Sequence, residues 1–344
     1  MKGFPWTTMP TGWFQIAWSD ELAVGDVKAM HYFDQDLVAY RGESGQVHVL
    51  DAHCAHLGAH LGVGGEVAGD DIICPFHHWR WSCEGCTVDI PYSERKTQAK
   101  RIGTWPVREI EPFVVVWHDA AGEPPSWEPE KPQLPFPLDD YYQVWPHGVR
   151  RWEGVAMQPQ LLIENLPDIF HFRYVHGTVR VPVFVEFSTD GHRIKSVQRF
   201  TEPLDAREEE IPLTAAQGEF DVYVQGLGLL LTNINGLGDT SQSACITPVD
   251  GERSDFHFTV FVPRTLPEKQ RDMLYALQFK LAQEDFPIWE NLRYQERPPF
   301  VPEEAGPYKA VRKWVPQFHP HEPAAPGARG VPGNTGVRGV PENI

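Results

Sequence analysis

The stretch that decides the fold runs from Asp51 to Trp81 and reads DAHCAHLGAHLGVGGEVAGDDIICPFHHWRW. It contains two short loops of similar composition, Cys54-Ala55-His56 and Cys74-Pro75-Phe76-His77, separated by 17 residues. Each loop supplies one cysteine and one histidine. A [2Fe–2S] cluster held by two Cys on one iron and two His on the other requires this ligand set. We therefore predict that Cys54, His56, Cys74 and His77 bind such a cluster.

A structural zinc site with two cysteines and two histidines is the alternative for these loops. Zinc sites usually separate their first two ligands by about two to four residues, whereas a single residue lies between Cys54 and His56. Glycines around the first loop let the backbone turn tightly, and Pro75 fixes a turn beside Cys74. The spacing and the flanking residues favour the iron–sulfur cluster.

Length and composition limit the classes of protein. The chain has 344 residues, which suggests two domains. A formal net charge of −17 argues against nucleic acid and anionic membranes as partners. The first ten residues lack the features of a signal peptide, and no apolar run approaches the roughly 20 residues of a membrane span. We expect a cytoplasmic protein, since leftover thiols and an iron–sulfur cluster suit a reducing compartment.

Three cysteines lie outside the predicted cluster, namely Cys83, Cys86 and Cys245. Cys83-Glu84-Gly85-Cys86 is a C-x-x-C pair, which redox or metal sites use. No second cysteine pair or thioredoxin-like context accompanies it, so we favour a hairpin turn with two incidental thiols.

The pattern divides the chain into five segments. An N-terminal arm (1–12) precedes an antiparallel β-domain (13–120), because short Val-, Tyr- and Trp-rich runs alternate with turn signals. The runs are Trp13–Trp18, Val27–Phe33, Leu37–Arg41, Val47–Leu50, Thr87–Pro91, Ile102–Val107 and Val114–Trp117. A Pro-rich linker (121–138) follows. A second domain (139–318) precedes a Pro/Gly-rich tail (319–344).

The second domain is predicted to be α+β, a curved antiparallel sheet that holds helices. Its strand-like runs are Tyr141–Trp145, Val183–Phe187, Ile194–Phe200, Glu219–Val224, Leu227–Thr232, Ser243–Thr247 and Phe256–Val262. One helix is predicted over 165–176. Another begins at a capping box of Thr265 and Glu268, and its leucines 274, 277 and 281 recur at helical spacing.

The first of these helices carries a second group of metal-binding residues, in the sequence ENLPDIFHFRYVHG of residues 164–177. Pro167 is acceptable in a first turn, and Gly177 is placed to end the helix. Asp168 and His171 are three residues apart and would share a face. His176 returns to that face only if the last turn loosens.

Two histidines and one carboxylate form the facial triad of a non-haem Fe(II) site, which leaves coordination positions open for O2. We predict His171, His176 and Asp285 as the ligands, because Pro287 interrupts a helix and frees Asp285 to point inward. Glu284 is the close alternative and Glu290 a weaker one. Asp168 is either a ligand or an outer group, and we favour the outer role because carboxylates often accept the ring N–H of a metal-bound histidine.

Together these motifs resemble the oxygenase component of the Rieske non-haem iron oxygenases. The resemblance spans residues 13 to about 300. It rests on Cys54-x-His56, Cys74-x-x-His77 and the segment with Asn165, Asp168, His171 and His176. CTVDIPY (86–92) and VVVWHDAAGEPP (114–125) are most similar to the 3-ketosteroid 9α-hydroxylase branch, and sterol 7-desaturases are similar too.

The resemblance implies an antiparallel β Rieske domain joined to a helix-grip catalytic domain, usually in a homotrimer. It implies that Asp168 bridges to a cluster histidine of the neighbouring subunit and carries the electron path, and that Asn165 lies near the iron. Two departures from the family pattern are visible. His78 stands where many members have Gly, and Cys83 is additional.

The activity implied is that of a monooxygenase. An NADH-dependent reductase with flavin and iron–sulfur centres, or a ferredoxin, would supply single electrons. The enzyme would use O2 to hydroxylate a bulky apolar substrate. The similarity to the 3-ketosteroid 9α-hydroxylase branch implies that this substrate is a steroid. Desaturation or oxidative demethylation could use the same iron. A bare electron carrier is the alternative of another class and would need only residues 13–120. The expected pocket residues are Phe170, Phe172, Tyr174, Leu227, Leu229 and Phe261.

Overall fold

A computed structural model describes residues 3–94, 100–178, 181–200, 218–236 and 238–320. The strand pairs in these ranges are antiparallel, which confirms the predicted α+β class with antiparallel sheets.

Three small sheets make up the N-terminal half of the chain. The first has the order β1-β10-β9, the second β2-β3-β4 and the third β5-β6-β7-β8. Their bounds are β1 (Gly12–Trp18), β2 (Val27–Tyr32), β3 (Gln35–Arg41), β4 (Val47–Asp51), β5 (Glu66–Ala68), β6 (Asp71–Ile73), β7 (Arg80–Trp81), β8 (Thr87–Asp89), β9 (Val107–Ile110) and β10 (Phe113–His118). The third sheet carries the predicted cluster loops between its strands and before β5.

A seven-stranded sheet dominates the C-terminal half, in the order β11-β17-β16-β15-β14-β13-β12. Its strands are β11 (Val149–Val155), β12 (Pro182–Asp190), β13 (Arg193–Phe200), β14 (Glu219–Gln225), β15 (Leu229–Asn235), β16 (Thr240–Pro248) and β17 (Ser254–Phe261). The helices are α1 (Pro159–Asn165), α2 (His171–Tyr174), α3 (Glu268–Glu284), α4 (Phe286–Trp289) and α5 (Pro302–Trp314).

The two faces of the large sheet have different partners, because side chains alternate across a strand. Leu229, Leu231 and Phe261 pack in one core with Trp13 and Trp18 of β1, so this face closes against the N-terminal half. The opposite face packs on the helices. Its residues Phe256 and Phe258, for example, share a core with α1 and α3.

Two predicted strands are wrong. The run Ile102–Val107 makes one isolated bridge at Thr104, and β9 begins only after Pro106, which has no N–H to donate to a ladder. Tyr141–Trp145 likewise makes only a bridge from Tyr141 to Pro263. The first strand of the large sheet in chain order is β11, which lies at one edge of that sheet. The sequence analysis missed it because its arginines and Gly154 interrupt the apolar pattern.

The predicted capping box on α3 is also wrong. The helix begins at Glu268, and its N-cap is Pro267 in an extended conformation with no side-chain cap. Thr265 therefore lies outside the first turn, where its hydroxyl cannot reach the N3 amide.

The N-terminal arm packs on the C-terminal half of the chain. Trp6 stacks on His319 with ring centroids 4.1 Å apart, and its indole N–H donates to Gln160 at 2.6 Å. The Pro-rich stretch wraps both halves, since the Trp127 carbonyl accepts from the Trp13 indole at 2.8 Å and the Trp127 ring stacks on His192. The predicted tail lies outside the described residues from position 321 onward.

Among the described helices, none combines the length and apolarity that crossing a bilayer requires.

Candidate metal centres

The two cysteine–histidine loops share one backbone design. The Cys54 amide donates to the Ala59 carbonyl, and the Cys74 amide donates to the Trp79 carbonyl, both at 2.9 Å. In each loop the residue four positions after the cysteine then donates back to that cysteine's carbonyl. Two equivalent turns therefore present the two pairs of ligands.

The residue that closes each turn explains one departure from the family pattern. Gly58 has φ +78° and His78 has φ +57°, so both occupy the left-handed region. Glycine adopts this conformation most easily, whereas histidine is among the side chains that tolerate it. His78 therefore takes the place of a glycine without changing the turn.

The four predicted cluster ligands lie together. Cys54 and Cys74 are 3% and 2% exposed, and both thiols are free. The His56 and His77 rings lie 4.8 Å apart, and His56 stacks on Trp79. The loops thus bring two thiols and two imidazoles to one place.

The chemistry of this set fits a bound cluster. Burial raises the pKa of the Cys54 thiol, and the adjacent Cys74 thiol adds to the rise. The His77 Nδ1 atom is buried and has no hydrogen-bond partner among the described residues. Burial disfavours the charged thiolate form, and iron bound at the thiols would stabilise that form.

The C-x-x-C pair lies in the turn that joins β7 to β8. The Ser82 amide donates to the Cys86 carbonyl at 2.8 Å, and the Cys86 amide donates to the Ser82 hydroxyl at 3.3 Å. Both thiols are free, and burial raises the pKa of Cys83 to about 11. A thiol with a raised pKa is a poor nucleophile, which agrees with the hairpin interpretation.

The predicted single helix over 165–176 is wrong. The helix α1 begins at Pro159 and ends at Asn165, and α2 begins only at His171. Pro167 falls after the end of α1, where its missing N–H and its ring prevent continuation. Asp168 consequently lies in the irregular stretch between the helices and shares no helix face with His171.

The break brings the two histidines together. The short helix α2 ends at Tyr174, so His176 lies outside it, and Gly177 turns the chain with φ +66°. The His171 and His176 rings are 5.2 Å apart. The expected loosening of the last turn is therefore present.

Asp285 reaches the same place from the other helix pair. It lies between α3, which ends at Glu284, and α4, which contains Pro287. Its side chain is buried and faces His176, with Nε2 to Oδ2 at 3.6 Å. One ligand atom from each of His171, His176 and Asp285 lies within 4.8 Å of the others.

Two outer contacts orient the histidine rings. The His171 Nδ1 forms a short hydrogen bond with the Asp168 backbone carbonyl, which requires a proton on Nδ1 and leaves Nε2 for a metal. The His176 Nδ1 lies 3.1 Å from the Glu284 carboxylate, which leaves its Nε2 toward Asp285. Glu284, the close alternative as third ligand, thus lies as a hydrogen-bond partner of His176, one of the predicted ligands.

The remaining predicted residue, Asn165, closes the site on the α1 side. Its amide nitrogen lies 3.5 Å from His171 Nε2, which is near enough for a weak contact. Asn165 also lines the adjoining cavity, so the structure brings it beside the histidines.

The electrostatics of this triad suit a cation. Burial, with a smaller contribution from the nearby Asp168 and Glu284 carboxylates, raises the pKa of Asp285 to about 6, and His176 opposes the rise. Burial also lowers the pKa of His171, which favours the neutral ring that binds a metal. Divalent iron would compensate the negative charge of the crowded carboxylates, and two His with one carboxylate is its ligand set in oxygenases.

A cavity of about 550 Å³ adjoins the triad and lies between the sheet and α3. His171, His176 and Asp285 form part of its wall. Its apolar lining comes from both sides and includes Leu162, Phe172, Phe200, Phe220, Val222, Leu230, Ile234, Phe256, Phe258, Leu274, Leu277, Leu281 and Trp289. The volume lies within the range of small-molecule sites.

Most of the expected pocket residues are wrong. Only Phe172 of the six lines this cavity. Leu229 and Phe261 face the N-terminal half, because strand alternation places them on the opposite side of the sheet. Leu227 packs with α5, and Tyr174 is 80% exposed. On β15 the cavity is lined by Leu230 and not by the predicted Leu229, its neighbour on the other face of the sheet. Which face lines the cavity depends on the position of the helices.

Two family models match nearly the whole described chain. The Rieske [2Fe-2S] domain matches residues 12–110, and the 3-ketosteroid 9alpha-hydroxylase C-terminal domain matches residues 116–319. The chain belongs to the Rieske oxygenases of the 3-ketosteroid 9α-hydroxylase family. It is a terminal oxygenase component, an oxidoreductase whose cofactors are a Rieske cluster and a mononuclear non-haem iron.

Named relatives of this Rieske oxygenase have two activities. A probable 3-ketosteroid-9-alpha-monooxygenase oxygenase component of Rhodococcus rhodochrous is 28% identical over 334 residues, which are 92% of this chain and 82% of the relative. Cholesterol 7-desaturase of Hemicentrotus pulcherrimus is 29% identical over 340 residues, at 90% and 69% coverage. The electron-carrier alternative is wrong, because the second domain is that of an oxygenase.

The fold of the Rieske oxygenase also occurs in solved structures. Dicamba monooxygenase bound to 3,6-dichlorosalicylic acid superposes with a TM-score of 0.69 and 19% identity, covering 91% of this chain and 98% of that one. This likeness confirms the predicted Rieske domain joined to a helix-grip domain.

Proposed function

We propose that this Rieske oxygenase hydroxylates a bulky apolar substrate of the steroid class. The observation that carries the proposal is the cavity of about 550 Å³, which is apolar on both walls and opens on His171, His176 and Asp285. Relatives named for 3-ketosteroids and cholesterol support this substrate class.

The residues in the site have distinct roles in this proposal. Cys54, Cys74, His56 and His77 hold the cluster, and His171, His176 and Asp285 hold the iron. When bound, the cluster supplies single electrons and the iron supplies O2 chemistry. The apolar walls position the substrate and exclude water, which protects the reaction from side products. Glu284 and the Asp168 carbonyl fix the rings of the two histidines.

Desaturation is the second candidate, and the cholesterol 7-desaturase relative favours it. Both reactions would need the same iron ligands, and the position of the substrate C–H bonds decides between them. Oxidative demethylation remains a third outcome of the same site.

The electron donor in the proposal is an NADH-dependent reductase with flavin and iron–sulfur centres, or a ferredoxin. The free cysteines of the described chain would suit a reducing, cytoplasmic location.

We also propose a homotrimer in which the cluster tip of one copy docks on the iron-bearing segment of the next. Leu57, Val63, Phe76 and Tyr92 surround the cluster loops and are each at least 60% exposed, which is unusual for large apolar side chains. Asp168 would then meet a cluster histidine of the neighbouring copy. Sedimentation of the iron-loaded protein tests the assembly, and a monomer at micromolar concentration would contradict it.

The experiment that tests the function is a coupled assay with NADH, a ferredoxin and its reductase. Steroids, sterols and small aromatic acids are compared for substrate-dependent O2 uptake and for product mass. We expect uptake with a steroid and a product that gains one oxygen atom. A product that loses two hydrogen atoms indicates desaturation, and uptake with small aromatic acids alone contradicts the proposal.

Replacing Glu284 by Gln or Leu should weaken metal binding at the triad by about 10- to 100-fold, the usual effect of losing an outer partner of a metal-bound histidine. The measurement is titration of the metal-stripped triad with Co(II), whose visible bands report the site. Lys280→Met is the control, because Lys280 is exposed and its ammonium lies 3.7 Å from the same carboxylate. Affinity within threefold of the parent in both Glu284 variants would remove Glu284 from this role.

A further inference from the structure

We propose that Gln242 and Thr232 form the recognition point for one oxygen function, a hydroxyl or a ketone, on an otherwise apolar polycyclic substrate. The inference deepens the proposed function and rests on it, since it concerns the same cavity. The apolar walls alone do not fix the orientation of a bound polycyclic substrate. A hydrogen bond at this point would fix it.

The two side chains lie next to each other on the cavity floor. Thr232 of β15 and Gln242 of β16 are direct register partners, so their side chains point to the same face of the sheet. Both line the cavity, and so do Val222, the next register partner, and Leu230 and Ala244, which face each other one step along these strands. An amide and a hydroxyl thus stand together in apolar surroundings.

The amide oxygen of Gln242 has no hydrogen-bond partner in the described ranges of the chain. This atom, Oε1, is buried. A buried, unpaired amide oxygen is costly, and such groups in native structures usually meet water, an ion or a ligand. The side chain lines a cavity large enough for a ligand, which makes the ligand the natural partner.

Gln198, another glutamine of the cavity floor, also has a buried Oε1 atom without a partner in the described ranges, but its amide is anchored through its nitrogen. Its amide N–H donates to the Leu166 carbonyl at 3.2 Å, which fixes its orientation beside the end of α1. Gln242 has no such anchor in the described chain. Its terminal amide can rotate by half a turn and present either its oxygen or its nitrogen.

Because the Gln242 amide can rotate, it can pair with either of two oxygen functions on a substrate. The amide oxygen accepts from a substrate hydroxyl, and the amide nitrogen donates to a substrate ketone, with the Thr232 hydroxyl able to serve either. An unfunctionalised hydrocarbon satisfies neither group. A contact at this point also fixes the rotation of a rigid substrate and so selects which C–H bond faces His171 and His176.

The test uses three steroids that share one saturated four-ring skeleton: the parent hydrocarbon, its monohydroxy derivative and its monoketone. Binding to the iron-loaded protein without reductant is measured by equilibrium dialysis. Gln242→Leu removes the amide at similar volume, and Gln242→Met is a second variant should the first fail to fold. Gln278→Leu is the matched control, since Gln278 lines the cavity from α3 on the opposite wall.

We expect the parent protein to bind the oxygenated steroids at least about tenfold more tightly than the hydrocarbon, because a site built for a hydrogen bond rejects the analogue that lacks it. The preference should fall below threefold in the Gln242 variants and persist in Gln278→Leu. A preference retained in the Gln242 variants overturns this inference and leaves the proposed function intact. Failure of all three steroids to bind the parent overturns both.

Discussion

Replacing His171 by alanine should abolish turnover and leave the Rieske cluster intact. His171 contributes one of three ligand atoms that lie within 4.8 Å of one another, and its ring is oriented by the Asp168 carbonyl. Loss of a metal ligand exceeds the roughly 10- to 100-fold effect of losing an outer partner. We therefore expect O2 uptake below about 1% of the parental rate.

Two measurements separate this outcome from general damage. The visible and EPR spectra of the cluster should keep their parental intensity, because Cys54, His56, Cys74 and His77 belong to the other half of the chain. His147→Ala serves as the control, since His147 is an exposed histidine of the catalytic half. Parental turnover by the His171 variant would refute the assignment of the iron site.

Replacing Asp168 by asparagine should stop oxygen chemistry while both metal centres remain loaded. The contact that orients His171 comes from the Asp168 backbone carbonyl, so the substitution leaves it in place. Only the carboxylate is lost. If that carboxylate joins the iron ligands to a cluster histidine of the neighbouring copy, its removal should lower O2 uptake by about 100-fold, the order of loss when a positioned group is misplaced.

The Asp168 experiment has three readouts. Iron content should match the parent, and the reductase should reduce the cluster at the parental rate. Reoxidation of the reduced cluster by O2 with substrate present should slow by the same factor as turnover. Asp190→Asn is the control, as Asp190 is an exposed aspartate at the end of β12. Unchanged reoxidation would end the proposed electron path.

The cluster site was predictable from sequence because its geometry is local. In each loop the cysteine and the histidine are at most three positions apart. Backbone hydrogen bonds inside the loop close each turn. The meeting of the two loops and the stacking of His56 on Trp79 depend on the fold.

The structure brings the three predicted iron ligands together, but the local structure around them differs from the prediction. The predicted helix over 165–176 is wrong because Pro167 does not stand in a first turn, and α1 begins at another proline, Pro159. Pro167 then ends the helical run instead of opening it. The helix break at Asp285 could be predicted, because a proline two residues after an acidic residue is visible in the sequence.

The cavity could not be predicted from sequence. Its floor consists of alternate residues from five strands, and a shift by one residue exchanges the cavity face for the face against β1. Gln242 carries no sequence signal of its own. It stands out only once two facts are known: its register with Thr232, and the lack of a partner for its amide oxygen among the described residues.

The most direct test of two iron centres in one chain is iron and acid-labile sulfide per chain, measured on the parent, His171→Ala and Cys54→Ser. The parent should contain about three irons and two sulfides, His171→Ala about two of each, and Cys54→Ser should lose its sulfide and its Rieske spectrum. A parent that holds two irons and loses neither in His171→Ala, or that carries zinc in place of the cluster, would contradict the account.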